Sequence, residues 1–355
     1  MQLKYIVNGI GIYIDNSNER WNASIEKKLQ IQLDGFQTDL DESKVLQKLV
    51  FKNYALLDTE SLKGGCVAPE CSIYKEGIFV DLNLKTAFKI EKDNMLFWVH
   101  EDSWLSLPFI LQFLFKQRKL IFVHGAGITI ENKGILLPAF AGIGKTPFIS
   151  EAVKDDRVKI LGDDLILLDD KGYLYPYKRP FCLQLYHKPL FPTYFKNNKV
   201  KYKNPTLWNK GIRKVKIIFN IPNHNVIGHK TVAPHLIFDK SKLAEEKVSI
   251  DKIYLLRRYK DLDSIQYAKT EDIDEVINFC VNVLFHEWAC LAEMTFSLLS
   301  QKGESISVYY ELFEKITRKC IAKSKEIYLV DIPENMKADE VAGELTKIVL
   351  SKNMS

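Results

Sequence analysis

The chain has 355 residues, of which 50 are Lys or Arg and 45 are Asp or Glu, so its formal net charge is +5. Hydrophobic residues make up 46% and charged residues 27%, a composition that excludes a disordered or fibrous protein. The length predicts two or three folding units, or one large core with an appendage. The N-terminus has no secretory pattern, and the apolar stretch 279–300 contains Glu287 and Glu293, which favours a buried helix over a membrane span. We therefore expect a soluble, cytoplasmic protein without a membrane span.

The first part of the chain, residues 1–104, has the pattern of a β-rich region in which turn residues separate short apolar runs. The predicted strands there are at 4–14, 28–33 and 77–82, and the single predicted helix is at 42–54. A helix is expected next over 103–118, starting late or kinked because Pro108 falls inside its pattern.

The middle of the chain, residues 105–265, alternates strands, turns and one helix. Two strands, 120–130 and 135–140, lead into a glycine loop and a helix that starts at Thr146. A hairpin is predicted over 158–177, and buried strands at 214–221 and 252–259. The last part, 266–355, is predicted to be mainly helical and packed on the core, with helices 272–301, 306–323 and 337–351 and a strand at 326–332.

The loop Ala139–Thr146, AFAGIGKT, follows an apolar strand and opens a helix, as a phosphate-binding loop must. Backbone N–H groups at such a loop and helix start point at phosphate oxygens. The lysine neutralises the β- and γ-phosphates, and the hydroxyl next to it can hold Mg²⁺. The alternative is an ordinary strand–helix turn. The residues predicted to bind nucleotide are Ala141, Gly142, Ile143, Gly144, Lys145 and Thr146.

Two further features accompany the loop. Asp163 and Asp164 lie 18 and 19 residues after Lys145, at the end of a strand. Adjacent carboxylates repel each other unless a cation sits with them, so one can anchor a metal while the other accepts a proton. His124 lies at a strand end 21 residues before Lys145.

Loop, acid pair and histidine together resemble the nucleotide-binding core of HPr kinase/phosphorylase and ATP-dependent phosphoenolpyruvate carboxykinase. The likeness is clear over residues 118–182 and looser as far as Ile332, with Ala139 and Ala141 standing where that superfamily has Gly and Ser. The resemblance implies a mixed-sheet P-loop core in which Lys145 contacts the transferred phosphate. It implies that Thr146 and Asp164 hold the metal, that Asp163 is the general base or a second metal ligand, and that His124 is an active-site residue. The two Asp roles can be exchanged.

Positive charge is concentrated in one segment, the basic segment 171–238. It has 13 Lys and Arg and no acidic residue, which leaves 37 basic against 45 acidic residues elsewhere. Such a field attracts nucleotide phosphates, a phosphorylated substrate or a polyanion. The alternative is a solvated basic loop around 196–216. Tyr202 and Trp208 within the segment could stack on bases or could anchor a mobile lid. The candidates for a cation on the phosphates or the substrate are Lys178, Arg179, Arg257 and Arg258.

These features predict an ATP-dependent kinase that uses Mg²⁺ or Mn²⁺ and transfers the γ-phosphoryl to a hydroxyl, such as Ser, of a protein, peptide or small molecule. The alternatives are a non-catalytic nucleotide-binding module and a nucleic-acid-binding or nucleic-acid-modifying protein that uses the basic segment. The sequence does not identify the acceptor, and it does not decide among ATP, GTP and pyrophosphate as the donor. It also leaves the oligomeric state open, and a homo-oligomer is one of the possibilities.

Overall fold

The computed structural model describes residues 1–15, 18–36, 40–68, 72–103, 106–184, 187–197 and 230–351. Within these ranges the chain forms two large mixed β-sheets and a set of α-helices, so the predicted mixed α/β class is confirmed. The expected strand at 214–221, Tyr202 and Trp208 lie outside the described residues.

The first large sheet is formed by the N-terminal part of the chain. Its strands are β1 Gln2–Val7, β2 Ile10–Ile14, β3 Gln47–Asn53, β4 Cys66–Ala68, β5 Ser72–Lys75, β6 Ile78–Asp81, β7 Thr86–Glu91 and β8 Asn94–Val99. In the described residues they lie in the order β1-β2-β3-β8-β7-β6-β5-β4. Strand β3 is parallel to both of its neighbours, and the other pairs are antiparallel.

Helix α1 (Glu19–Leu33) occupies the place of the strand expected at 28–33, so that prediction is wrong. The alternation of apolar residues in 28–33 is the end of a helical pattern, and Ile31, which fits only the alternation, is 51% exposed. Asn18 caps the helix, because its side-chain oxygen accepts a hydrogen bond from the Trp21 N–H at 3.1 Å. The buried residues of α1 are four positions apart and form one face: Trp21, Ile25, Leu29 and Leu33.

The helix expected at 42–54 is also wrong. A short 3₁₀ turn, Glu42–Lys44, precedes strand β3 there. Leu49, Val50 and Phe51 are all buried, since β3 is a parallel strand covered on both faces. A strand buried on both faces loses the alternation of apolar and polar residues that identifies strands in sequence.

The second large sheet carries the predicted loop and acid pair. Its strands are β9 Leu120–Ile130, β10 Lys133–Pro138, β11 Val158–Gly162, β12 Leu165–Asp169, β13 Tyr173–Tyr175, β16 Val248–Tyr259, β17 Gln266–Lys269 and β18 Glu326–Pro333. A separate antiparallel pair consists of β14 Phe181–Leu183 and β15 Lys230–Val232. The order found in the described chain is β10-β9-β12-β13-β16-β18-β17, with β11 also on β9 and β10 also parallel to β16. The predicted hairpin is confirmed as the β12–β13 pair, but its first strand is divided at the two acids.

The remaining α-helices of the described residues are α2 Leu107–Phe115, α3 Lys145–Ala152, α4 Pro192–Asn197, α5 Ile273–Glu287, α6 Ala289–Lys302, α7 Ile306–Ile321 and α8 Ala338–Ser351. Helix α6 packs on β4 and β5 of the first sheet. The predicted C-terminal helices are confirmed, with 272–301 divided in two at Trp288. Helices α5 and α7 pack on β9, and α8 packs on α3. In the residues with a described structure, no helix has both the length and the apolar character needed to cross a membrane.

One continuous buried apolar cluster joins the two sheets. It contains α1 and Phe51 of the first sheet, α2, Phe122 of β9, and Phe313 of α7. Another cluster lies on the opposite face of the second sheet, where α3 and α8 pack. The expected boundaries after residues 104 and 265 stay a prediction, and residues 104 and 105 are not among those described.

Candidate functional site

The loop predicted to bind phosphate connects β10 to α3. Gly142 and Gly144 have φ angles of +77° and +123°, which L-residues rarely adopt. A Cβ on Gly144 would also lie 2.6 Å from Cγ1 of Val341 in α8. Helix α3 begins directly after Gly144, so its first turn faces the loop with the positive end of the helix dipole. The backbone is therefore held in a narrow, anion-binding shape at this point.

The side chain of Lys145 folds back over the loop that precedes it in the chain. Its side chain is only 4% exposed. The Nζ donates hydrogen bonds to the carbonyl oxygens of Phe140 (2.9 Å) and Ala139 (3.5 Å). It also lies 3.7 Å from Oδ1 of Asp164. Among the described residues, the ion-pair partner of the amine is thus the carboxylate of Asp164.

Asp163 is joined to the loop by Thr146, whose hydroxyl donates a hydrogen bond to its Oδ2 at 2.6 Å. The carboxyl is 4% exposed, and its Oδ1 is a buried oxygen with no hydrogen-bond partner in the described part of the chain. Burial, followed by the charge of Asp164, raises the pKa of Asp163 to about 7. A cation at Oδ1 would satisfy that oxygen and favour the ionised form.

Asp164 interrupts the sheet between β11 and β12 with a φ of +67°. Its side chain is 34% exposed, and its Oδ1 lies 3.9 Å from Nε2 of His124. Burial acts to raise the pKa of Asp164, but the charges of Lys145 and Arg179 outweigh it and hold that pKa below its usual range. Asp164 is therefore the ionised member of the acid pair.

His124 is almost fully buried at 6% exposure. Burial, together with the charge of Lys145, lowers its pKa, so the ring is neutral. Its Nδ1 lies 2.5 Å from the carbonyl oxygen of Ala139, and because a carbonyl only accepts hydrogen bonds, Nδ1 carries the proton. The lone pair of Nε2 consequently faces the carboxylate of Asp164, which is an arrangement that favours a cation between them.

The loop, Lys145, Thr146 and Asp164 border a cleft of about 550 Å³, here called the phosphate cleft. The size is within the range of small-molecule sites. Its lining combines the loop and Asp164 with residues in or just after β14, β16 and β18. The lining residues are Ala141, Gly142, Gly144, Lys145, Thr146, Pro147, Asp164, Cys182, Gln184, His187, Arg258, Glu334 and Ala338.

The four predicted cations lie in different places. Arg258 lines the phosphate cleft and donates to the carbonyl oxygens of Pro333 (3.0 Å) and Ile143 (3.4 Å), so it ties the loop to the end of β18. Arg257 points to the opposite face, as the next residue of a strand must, and pairs with Asp331 and Glu275.

The other two cations follow β13. Lys178 pairs with Glu245 at 2.6 Å and does not line the phosphate cleft. Arg179 is half-buried and lies on the far side of Asp164. The structure thus brings Arg258 and Arg179 to the acid pair or the loop, and leaves Arg257 and Lys178 elsewhere. Of the basic segment, residues 198–229 are not described.

Sequence reasoning missed several residues of the phosphate cleft. Cys182, Gln184 and His187 reach it from the β14 region, while Glu334 and Ala338 reach it from the connection between β18 and α8. It also missed Phe140, whose ring packs edge-on against Phe279 and His286 of α5 and so anchors the loop. Apart from Phe140, which lies within the loop itself, these positions have no local motif, because they meet the loop only through the sheet topology.

The residues present fit a divalent ion only in part. No group of three or more His, Cys, Asp or Glu side chains is arranged to hold a metal in the portion of the chain that is described. The Thr146 hydroxyl, the unpartnered Oδ1 of Asp163 and the carboxylate of Asp164 do offer oxygen ligands on one side. That set suits Mg²⁺, which is commonly bound by one or two carboxylates, with substrate phosphates and water completing the octahedron.

Comparison with known proteins found a weak likeness to solved structures. No family model matches the chain, and no curated protein matches it. Among solved structures, the chain is similar to the Hpr(Ser) kinase/phosphatase from Coxiella burnetii, with 11% sequence identity and a TM-score of 0.29. The match covers 66% of this chain and 97% of that chain.

Proposed function

We propose that the protein is an ATP-dependent phosphotransferase that moves the γ-phosphoryl group to a hydroxyl acceptor. The observation that carries the proposal is the 2.6 Å hydrogen bond between Thr146, the hydroxyl of the loop, and Asp163, the first residue of the acid pair. Two motifs that are 17 residues apart in sequence therefore form one site, at the mouth of a cleft large enough for a nucleotide's phosphates.

The loop supplies the binding surface for the phosphates. Backbone N–H groups around Gly142 and Gly144 and the first turn of α3 favour negative charge. Lys145 needs to exchange its carbonyl partners for phosphate oxygens, and that exchange is favourable because a hydrogen bond between two charged groups is stronger than one to a neutral carbonyl. Arg258 fixes the position of the loop through Ile143.

The two members of the acid pair have different roles in this proposal. The sequence left open which of them binds the metal and which accepts the proton, and the geometry supports Asp163 on the metal side. Asp163, which is buried and joined to Thr146, is the metal-side carboxylate, while Asp164 faces the cleft, stays ionised and accepts the proton of the acceptor hydroxyl. Mg²⁺, when bound, neutralises phosphate charge and orients the γ-phosphoryl for in-line transfer.

His124 is a positioning residue in this proposal. Its neutral ring is held by the carbonyl of Ala139 and directs Nε2 at Asp164. The Nε2 lone pair and the Asp164 carboxylate thereby face each other as two acceptors, and a donor or cation bound between them would be held in a fixed position.

The test is phosphoryl transfer and ATP hydrolysis by purified protein and two variants. We expect Lys145→Ala and Asp164→Ala each to abolish turnover while leaving the thermal unfolding transition cooperative. Lys154→Ala, an exposed lysine paired with Glu151 near the end of the same helix, is the matched control and should keep full activity. ATP consumption that persists in both site variants would refute the assignment.

The same protein should be stabilised against heat by ATP with Mg²⁺. Parallel melts with ADP, GTP and pyrophosphate identify the donor. Nucleotide binding without any turnover in the native protein would identify a non-catalytic binding module instead. Steeply salt-dependent binding of RNA or DNA would favour the nucleic-acid alternative.

A further inference from the structure

A second cleft, here called the acid cleft, lies on the other side of Asp164. It has a volume of about 510 Å³ and is bordered by α1, the connection from β8 to α2, and the residues around Arg179. Asp164 and Cys182 line both clefts, so the two share a wall. The carboxylate that faces the phosphate cleft is therefore also accessible from a separate space that contains none of the loop residues.

The acid cleft contains two cations. Arg179 is half-buried, and within the described residues its guanidinium has no hydrogen bond or ion pair. Lys28, on α1, donates hydrogen bonds to the carbonyl oxygens of Glu101 and Ser103, the latter at 2.8 Å. A guanidinium in such a position offers two parallel N–H donors to an acid group.

The one carboxylate on the shared wall, that of Asp164, faces Arg179 on one side and Lys145 on the other, so it does not offset both of their charges. Asp164 already has Lys145 at 3.7 Å from Oδ1. The other acid of the acid cleft, Asp102, has a side chain that is 87% exposed and therefore well solvated. The acid cleft accordingly has an excess of positive charge, on the side of Asp164 that lies away from the loop Ala139–Thr146.

We propose that the acid cleft is the acceptor site and that it takes a small hydroxy acid, whose acid group pairs with Arg179 while its hydroxyl faces Asp164. This inference rests on the proposed function. Transfer then joins the acceptor oxygen to the γ-phosphorus and breaks the bond from that phosphorus to the β–γ bridging oxygen. The hydroxyl proton passes to Asp164, and ADP leaves through the phosphate cleft. A volume near 500 Å³ suits a small molecule.

The test uses defined acceptors. L-Serine and D-glycerate carry both groups, whereas glycerol carries hydroxyls without an acid. We expect phosphoryl transfer from ATP to at least one of the two acids to exceed transfer to glycerol by about tenfold or more in kcat/KM, because a charged bidentate pair is lost with glycerol. Arg179→Gln should remove that preference mainly through KM, with the affinity for MgATP unchanged. Arg318→Gln, an exposed arginine of α7 paired with Asp274 and Glu314, is the matched control.

Calorimetric titration of L-serine and D-glycerate without nucleotide separates this inference from the proposed function. Arg179-dependent binding of an acid supports the acid cleft even if ATP is neither bound nor hydrolysed, in which case the proposed function alone fails. Normal binding of MgATP with no acid bound at millimolar concentration would overturn the inference and leave the kinase assignment in place. Preferred phosphorylation of a serine-containing peptide, or an acid preference that survives Arg179→Gln, would also overturn it.

Discussion

Asp163 is expected to destabilise the metal-free protein as the pH rises, and Asp163→Asn should therefore stabilise it above neutral pH. Burial and the neighbouring charge of Asp164 raise the pKa of Asp163 from 3.8 to about 7. Below pH 4 the carboxyl is protonated in both the folded and the unfolded chain. Between pH 4 and 7 the unfolded chain has lost this proton and the folded chain retains it, so folding stability falls as the pH rises.

The size of the change in folding stability follows from the pH range between these two pKa values. Stability changes by about 1.4 kcal/mol for each pH unit in which one proton separates the two states. Between pH 5 and pH 8 the native protein should therefore lose about 3 kcal/mol relative to Asp163→Asn. The asparagine side chain still accepts a hydrogen bond from Thr146, but its amide N–H group lies in the buried position of Oδ1 and costs about 1–3 kcal/mol at every pH. The variant should thus gain about 3 kcal/mol on the native protein between pH 5 and pH 8 and be the more stable of the two at pH 8.

The assay is urea denaturation in EDTA at pH 5, 6, 7 and 8, followed by far-UV circular dichroism. Asp164→Asn is the matched control with the opposite sign, since the pKa of Asp164 is held below its usual range and its charge stabilises the fold at neutral pH. Asparagine tolerates the left-handed backbone at that position. Parallel pH dependence of Asp163→Asn and the native protein would refute the reasoning.

Three other predictions follow from the loop and its supports. Gly144→Ala should lower stability by about 2–4 kcal/mol, since it combines backbone strain with a 2.6 Å contact to Val341, whereas Gly142→Ala, with open space around its Cβ, should cost about 1 kcal/mol; urea melts measure both. Arg258→Ala should weaken MgATP binding several-fold in calorimetry, because the loop loses its link to β18. Arg257→Ala should lower stability by about 1–3 kcal/mol through its two lost ion pairs and leave MgATP affinity unchanged.

The sequence predicted the parts of the site that depend on local geometry. A glycine loop between a strand and a helix and an acid pair at a strand end need only their immediate neighbours to be recognised, and the structure places Lys145, Thr146, Asp163 and Asp164 together. The alternating direction of side chains along a strand could also have separated two of the predicted cations. Arg257 and Arg258 are consecutive in β16 and must point to opposite faces, so only one of them could serve the loop.

The errors in the N-terminal part have a common physical cause. In α1 the apolar residues at 29, 31 and 33 imitate a strand, although burial follows the four-residue spacing from Trp21 to Leu33. In β3 burial on both faces removes the alternation. In each case tertiary packing decides which pattern is real, and a local window does not contain that information.

The acid cleft could not be predicted from the sequence, for a related reason. Lys28 and Arg179 are far apart along the chain, and they meet only because α1 packs beside the connection from β8 to α2. Because a strand was predicted at 28–33, where α1 ends, the sequence did not indicate that a helix carrying Lys28 forms one wall of that cleft.

The apolar cluster that runs from Phe51 through Phe122 to Phe313 has a practical consequence for anyone who dissects this protein. A fragment trimmed to start just before α2 would expose to water the apolar flank of the part that carries the loop and the acid pair, and it should precipitate. The N-terminal sheet is therefore not a detachable accessory, and a substitution among its inward-facing side chains has to be compatible with the residues of the second sheet against which they pack.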